Sequence, residues 1–191
     1  MDRVPLADRI ATVAPLSPRE TSPLAGRASK LGAEELIVLA GEKEGVEAVQ
    51  AAAKSAQERV AKVGEPVIAD AKLATGQVGA MATILRVGHF YDQATINDVR
   101  GFHGSEHARV DEAGRGALAR AARIFVQATR TFLRIVGGTF FPGVVRAGTD
   151  AAMAQRPAYE TVEAGINAAT GDLAKSVEQV PKAPTVQGGG N

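Results

Sequence analysis

Beyond residue 33, apolar positions recur at alternating spacings of three and four, the period of a helix that buries one stripe. Val46, Val49, Ala53, Ala56, Val60, Val63 and Val67 form a seam of small side chains, which permits close helix approach. Glu44, Glu47, Lys54, Glu58 and Lys62 take the opposite face at ion-pair spacing. A second stripe follows: Val67, Ala71, Ala74, Val78, Met81 and Leu85. Between the two, Gly64-Glu65-Pro66 reads as a helix stop and a proline-led restart, because Gly suits the position after a helix and Pro the first turn of the next. The pattern predicts a helical hairpin, about 33–63 against 66–88, with a single kinked rod as the alternative.

Residues 88–104 read as irregular or briefly helical, since Gly88, Gly101 and Gly104 interrupt the pattern while Phe90, Tyr91 and Phe102 are available to pack. Ser105 is placed to cap a long helix that runs to about residue 136. Gly137-Gly138 ends it, and Phe140-Phe141-Pro142-Gly143 marks a turn. A short helix over 143–155 follows. After Arg156-Pro157 a last helix presents Tyr159, Val162, Ile166, Ala169, Leu173 and Val177. No period-two pattern interrupts this series, so the expected fold class is all-α.

The helical domain so defined spans 33–180 and is flanked by two different segments. In 1–32, Pro5, Pro15, Pro18 and Pro23 exclude any helix longer than two turns. Leu6, Ile10, Val13, Leu16, Leu24 and Leu31 make it richer in large apolar residues than a solvated linker. The reading adopted is an extended arm that lies on another subunit, a disordered tail being the plain alternative. Residues 181–191, with Pro181, Pro184 and three closing glycines, read as a flexible tail.

Composition narrows the chemistry. The absence of Cys removes disulfides, thiolate metal sites and Cys nucleophiles. The start of the chain lacks a signal-peptide core, and no long uncharged apolar run suggests a transmembrane helix, so the expected location is intracellular or inside an assembled particle. One string invites an enzymatic reading. His103-Gly104-Ser105-Glu106-His107 matches the H-x-x-E-H order in which two His on one helical face bind zinc and the Glu activates water. With a helix boundary expected at Ser105 and no clear third ligand, a polar helix start is the preferred reading. Asp111-Glu112 and Glu34-Glu35 suit helix N-termini, where the macrodipole favours negative charge. Neither catalytic residues nor a cofactor is expected.

Charge changes the picture more. The sequence has 22 basic and 21 acidic residues, yet 113–149 holds six Arg and no acid, leaving 16 basic against 21 acidic elsewhere. Arg120, Arg123, Gln127, Arg130 and Arg134 fall on one edge of the expected helix. Leu118, Ala122, Phe125, Thr129, Phe132 and Val136 fall on the other, and Phe140 and Phe141 follow in an uncharged run over 135–145. Such a basic amphipathic helix suits an acidic protein surface such as another copy of the chain, an anionic lipid surface, or, less well, nucleic acid. The resulting expectation is a non-enzymatic assembly protein. It would be a subunit of a larger particle, most concretely a phage virion connector, internal or ejection component. Its copies would associate through Val46, Val49, Val60 and Val63 and through Leu6, Ile10 and Leu24 of the arm, and partners would bind Arg120, Arg123, Arg130, Arg134, Phe132, Phe140 and Phe141. The alternatives are an amphipathic, phasin-like protein of lipid or granule surfaces and a zinc-dependent hydrolase on His103, Glu106 and His107.

Overall fold

The computed structural model describes residues 41–183, and they form an all-α, three-helix bundle with no strand among them. The helices are α1 (Glu42–Val87), α2 (Gln93–Gly138) and α3 (Pro142–Ser176), followed by a 3-10 turn at Val177–Gln179. Leu6, Ile10 and Leu24, with the rest of the expected arm, lie outside the described residues, as do 184–191.

The expected hairpin is replaced by its alternative, since α1 runs unbroken through Gly64-Glu65-Pro66. Proline removes one helical N–H and frees the carbonyl four residues back, here that of Lys62. Both Lys62 and Pro66 are exposed, so water can satisfy what the helix does not. The buried positions Val60, Gly64, Val67, Ala71, Ala74 and Val78 keep a spacing of three and four across the proline. The same correction applies to α3, where two helices were expected and one runs through Pro157. Pro157 and Met153, four residues back, are both exposed, and the Thr161 hydroxyl donates to the Pro157 carbonyl at 2.8 Å.

α2 begins twelve residues before its expected cap at Ser105. Ser105 instead donates to the Phe102 carbonyl at 2.9 Å within the helix. The true N-cap is Asp92, which accepts from the Thr95 N–H at 2.8 Å and the Thr95 hydroxyl at 2.7 Å. Those bonds, the backbone one first, hold the Asp92 carboxyl below the ordinary carboxylate range. α1 ends just before it in a Schellman pattern. Phe90 N–H reaches the Leu85 carbonyl at 3.0 Å and His89 N–H the Arg86 carbonyl at 3.4 Å. The left-handed residue this needs is His89, with φ of 54°, rather than the neighbouring Gly88.

The chain divides into two compact units, each built from a stretch of every helix. In the unit containing residues 41–63 and Ala119–Val162, the core joins Ala48, Val49, Ala52, Ala53 and Ala56 of α1 to Ala128, Phe132 and Ile135 of α2 and to Val144, Ala147, Ala151 and Ala152 of α3. Alanine dominates, so the helices approach closely. At Gly148 an added Cβ would lie 2.8 Å from Val136 Cγ2 and 3.4 Å from the Phe132 carbonyl oxygen. The first turn of α3 is capped from α1, where Glu42 Oε1 accepts from the Gly143 N–H at 2.7 Å. Gln155 is fully buried, donating to the Ala151 carbonyl at 3.0 Å.

In the unit containing Gly64–Leu118 and 163–183, Val78, Ala82, Leu85, Ile96, Val99 and Val180 form a second cluster, with Met81, Phe102 and Ala183 packed against it. Of the segment expected as a tail from residue 181, Ala183 packs against this cluster.

Two outcomes test this account. Phe132→Ala should lower unfolding free energy by about 3–5 kcal/mol, measured by urea titration, because it empties the largest side chain of an alanine core. Asp92→Ala should lower the urea midpoint at neutral pH. A depressed folded-state pKa stabilises above the ordinary carboxylate pKa, so this gap should close as pH falls below about 4.

Candidate functional site

The seam expected to join copies faces the interior of its own chain. Val49 and Val60 are 0% exposed, while Val46 and Val63 are half-buried at its margins. α2 and α3 of the same chain supply the partners of Val49, so its side chain is not offered to another folded copy. Phe132 is likewise a core residue rather than a partner-binding one.

What α2 leaves outside is different. Its buried line in this unit is Ala121, Ala128, Phe132 and Ile135, displaced around the helix from the expected apolar edge, whose Ala122, Phe125, Thr129 and Val136 are half-buried shoulders. Phe125 stacks on Tyr159 of α3 with ring centroids 5.8 Å apart. Arg120, Arg123, Gln127, Arg130 and Arg134 are all exposed, as the expected edge requires. At 3.6 residues per turn they share an arc of roughly 140° with Val126 and Leu133, which are also exposed. Leu133 is 56% exposed and Phe140, in the turn after α2, is 99% exposed, whereas Phe141 is half-buried against the core. Met153 adds a further exposed apolar side chain on α3. Val126, Leu133 and Met153 went unnoticed in the sequence because an apolar residue off the seam carries no periodic signal.

The arginines of this face differ from those nearer the start of α2. Arg109 bridges Glu106 at 2.8 Å and Asp70 at 3.0 Å, and those two bonds, Glu106 first, raise its already high pKa. Arg115 pairs with Asp111 at 3.3 Å. Among the described residues, Arg123 and Arg130 form no such pair. Counted over described residues, the first unit holds ten basic and six acidic side chains, a net of +4. The second holds seven basic and ten acidic, a net of −3.

The H-x-x-E-H string lies inside unbroken helix, contrary to the expected boundary, so His103 and His107 do share a face, with ring centroids 6.0 Å apart. His103 and Glu106 are otherwise engaged. His103 Nε2 lies 2.9 Å from the Leu173 carbonyl, which can only accept, so that nitrogen carries the proton. Glu106 is held by Arg109. Among the described residues no group of three or more His, Asp and Glu side chains is placed to hold a metal ion. His107 and Asp111 instead line a shallow cleft of about 190 Å³ with Ile166, Asn167 and Thr170 of α3.

A second hollow, of about 420 Å³, opens where α1 ends and α2 begins, lined by Met81, Ile84, Leu85, Phe90, Thr95 and Val99. Its lining is mostly apolar; the sequence pattern marks Met81 and Leu85 as stripe residues and Phe90 as free to pack, but Ile84 lies outside the stripe.

No family model, curated protein or solved structure matches this chain. No helix among the described residues is long and apolar enough to cross a membrane.

The histidine geometry gives a direct expectation. His103→Ala should cost about 1 kcal/mol in a urea titration, because the end of α3 loses a donor. Added zinc should leave the wild-type midpoint unmoved, whereas a zinc-dependent rise would restore the metal reading.

Proposed function

We propose that this chain is a non-enzymatic assembly subunit, a helical component of a larger particle that binds further copies of itself. A phage virion component is the concrete case. The observation that carries the reading is the segregation of what each unit leaves exposed. One unit, at +4, presents Arg123 and Arg130 interleaved with Val126 and Leu133, and Phe140 beyond them. The other, at −3, presents Ile84, Val87 and Phe90. Opposite net charges orient copies during encounter and disfavour like-with-like pairing, while exposed apolar side chains supply the area that holds them. Individual surface ion pairs contribute little, so the attraction belongs to the field of the whole face. The internal seam rules on none of this; it holds the monomer together and leaves the outer faces free to act.

A second reading has its own support. Leu133 and Phe140 among arginines are also what an anionic lipid or granule surface would accept, with apolar side chains below the headgroups and guanidinium groups at their level.

Sedimentation velocity over a concentration series separates the two. The wild type should self-associate, more weakly at high salt. Arg123→Glu combined with Arg130→Glu should weaken association at least about tenfold, a change of about 1.4 kcal/mol. Unchanged association in that variant would remove the α2 face from the assembly. Flotation with anionic vesicles that Leu133→Asp abolishes, in a protein that stays monomeric, would favour the lipid reading.

A further inference from the structure

Two features of opposite character stand unfilled. Phe140 is a knob: 99% exposed, it projects from the turn between α2 and α3, while its neighbour Phe141 packs inward. The turn that carries it is well held. Phe141 N–H donates to the Thr139 hydroxyl at 3.2 Å, Val145 N–H to the Phe141 carbonyl at 3.0 Å, and Gly143 N–H to Glu42. A large aromatic side chain carried outside on a braced turn is poised for contact, and the backbone ordering of that turn is met before a partner arrives.

The hollow at the α1–α2 junction is the complementary shape. Leu85 and Val99 are buried at its base, and Ile84 and Phe90, 60% and 52% exposed, stand as its walls. Its volume of about 420 Å³ exceeds the roughly 150 Å³ in which an apolar cavity accepts a benzene ring. The walls are braced as firmly as the knob, by the Phe90-to-Leu85 backbone bond on one side and the Asp92–Thr95 cap on the other. The knob belongs to the unit at +4 and the hollow to the unit at −3. Along the chain, Arg134 and Arg146 lie six residues to either side of Phe140, while Glu42 bonds the turn itself. Asp92, bonded to Thr95 of the hollow's lining, and Asp98 flank the hollow along the chain, as do Arg86 and Arg100, so the acidic excess belongs to the unit as a whole.

We propose that Phe140 of one copy seats in the Ile84–Phe90 hollow of a second copy, joining the chains head to tail. The inference rests on the assembly reading above and names the contact that reading leaves open. The opposite net charges of the two units select a second copy over a neutral apolar partner, because the same chain supplies both signs together with the knob and the hollow. The contact is heterologous: each copy offers one knob and one hollow, so association does not stop at two unless the rotation between copies closes a ring.

The test uses the full chain with two surface variants, Phe140→Ala and Ile84→Glu. Both sites are largely exposed, and circular dichroism establishes that each variant is folded. In sedimentation velocity each variant alone should associate at least about tenfold more weakly than wild type. An equimolar mixture should form a heterodimer and nothing longer, because the intact knob of one variant enters the intact hollow of the other. If both variants retain wild-type association, this contact is overturned and the assembly reading stands. If Phe140→Ala is monomeric while Ile84→Glu behaves as wild type, the knob meets some other surface and the hollow is overturned as its site. A wild-type protein that remains monomeric throughout overturns both readings, and Phe140-dependent flotation with anionic vesicles would then assign the knob to lipid.

Discussion

Everything in this structure depends on a burial phase that is never interrupted. Along α1 the inward positions keep their three-and-four spacing from Val49 to Leu85, and Pro66 falls on the outside of that line. A proline at an inward position would have placed a freed carbonyl in the core, where its desolvation goes uncompensated. On the outside, the same defect is open to water. Pro157 of α3 obeys the same rule. Two residues that ordinarily end helices therefore sit inside two of the three α-helices, and the continuity of the apolar line decides the outcome over local propensity.

That continuity was legible in the sequence, and it is where reading and structure part most instructively. The two stripes assigned to separate helices share Val67, so they are in phase, and a hairpin would have had to reverse direction across Gly64-Glu65-Pro66 without disturbing that phase. The all-α class, the end of α2 at Gly138 and the exposure of Arg120 to Arg134 follow from periodicity and glycine placement, and all three hold in the structure. The start of α2 does not, because His103, Glu106 and His107 occupy or flank positions where the stripe would show apolar residues. Their contacts run to Leu173 and Arg109, partners too distant or too polar to leave a periodic trace. The Asp92–Thr95 cap stands apart from the apolar run, to which Ser105 lies closer, so its position carries the weaker sequence signal.

The internal use of the seam also reshapes the functional picture. Near-balanced composition conceals two surfaces of opposite sign, and the apolar residues that a partner can reach are those standing apart from the helical stripe. Ile84, Leu133 and Phe140 have low weight in any periodic reading and high weight at a surface. A fold whose core is settled within the chain can vary such positions without disturbing itself, which is the circumstance in which exposed side chains are retained for contact.

Alanine at so many inward positions has a consequence of a different kind. Methyl groups have no rotamers to lose on folding, so the seam closes without the side-chain ordering cost that leucine or methionine would impose. The same uniformity offers little relief by which one helix could recognise its proper longitudinal register against another. Register then falls to the few inward residues that are not alike. Phe132 needs room that an alanine layer lacks, Gly148 admits a backbone that any side chain would hold away, and Gln155 brings an amide into a largely apolar interior. A core that is inexpensive to order is aligned by its exceptions.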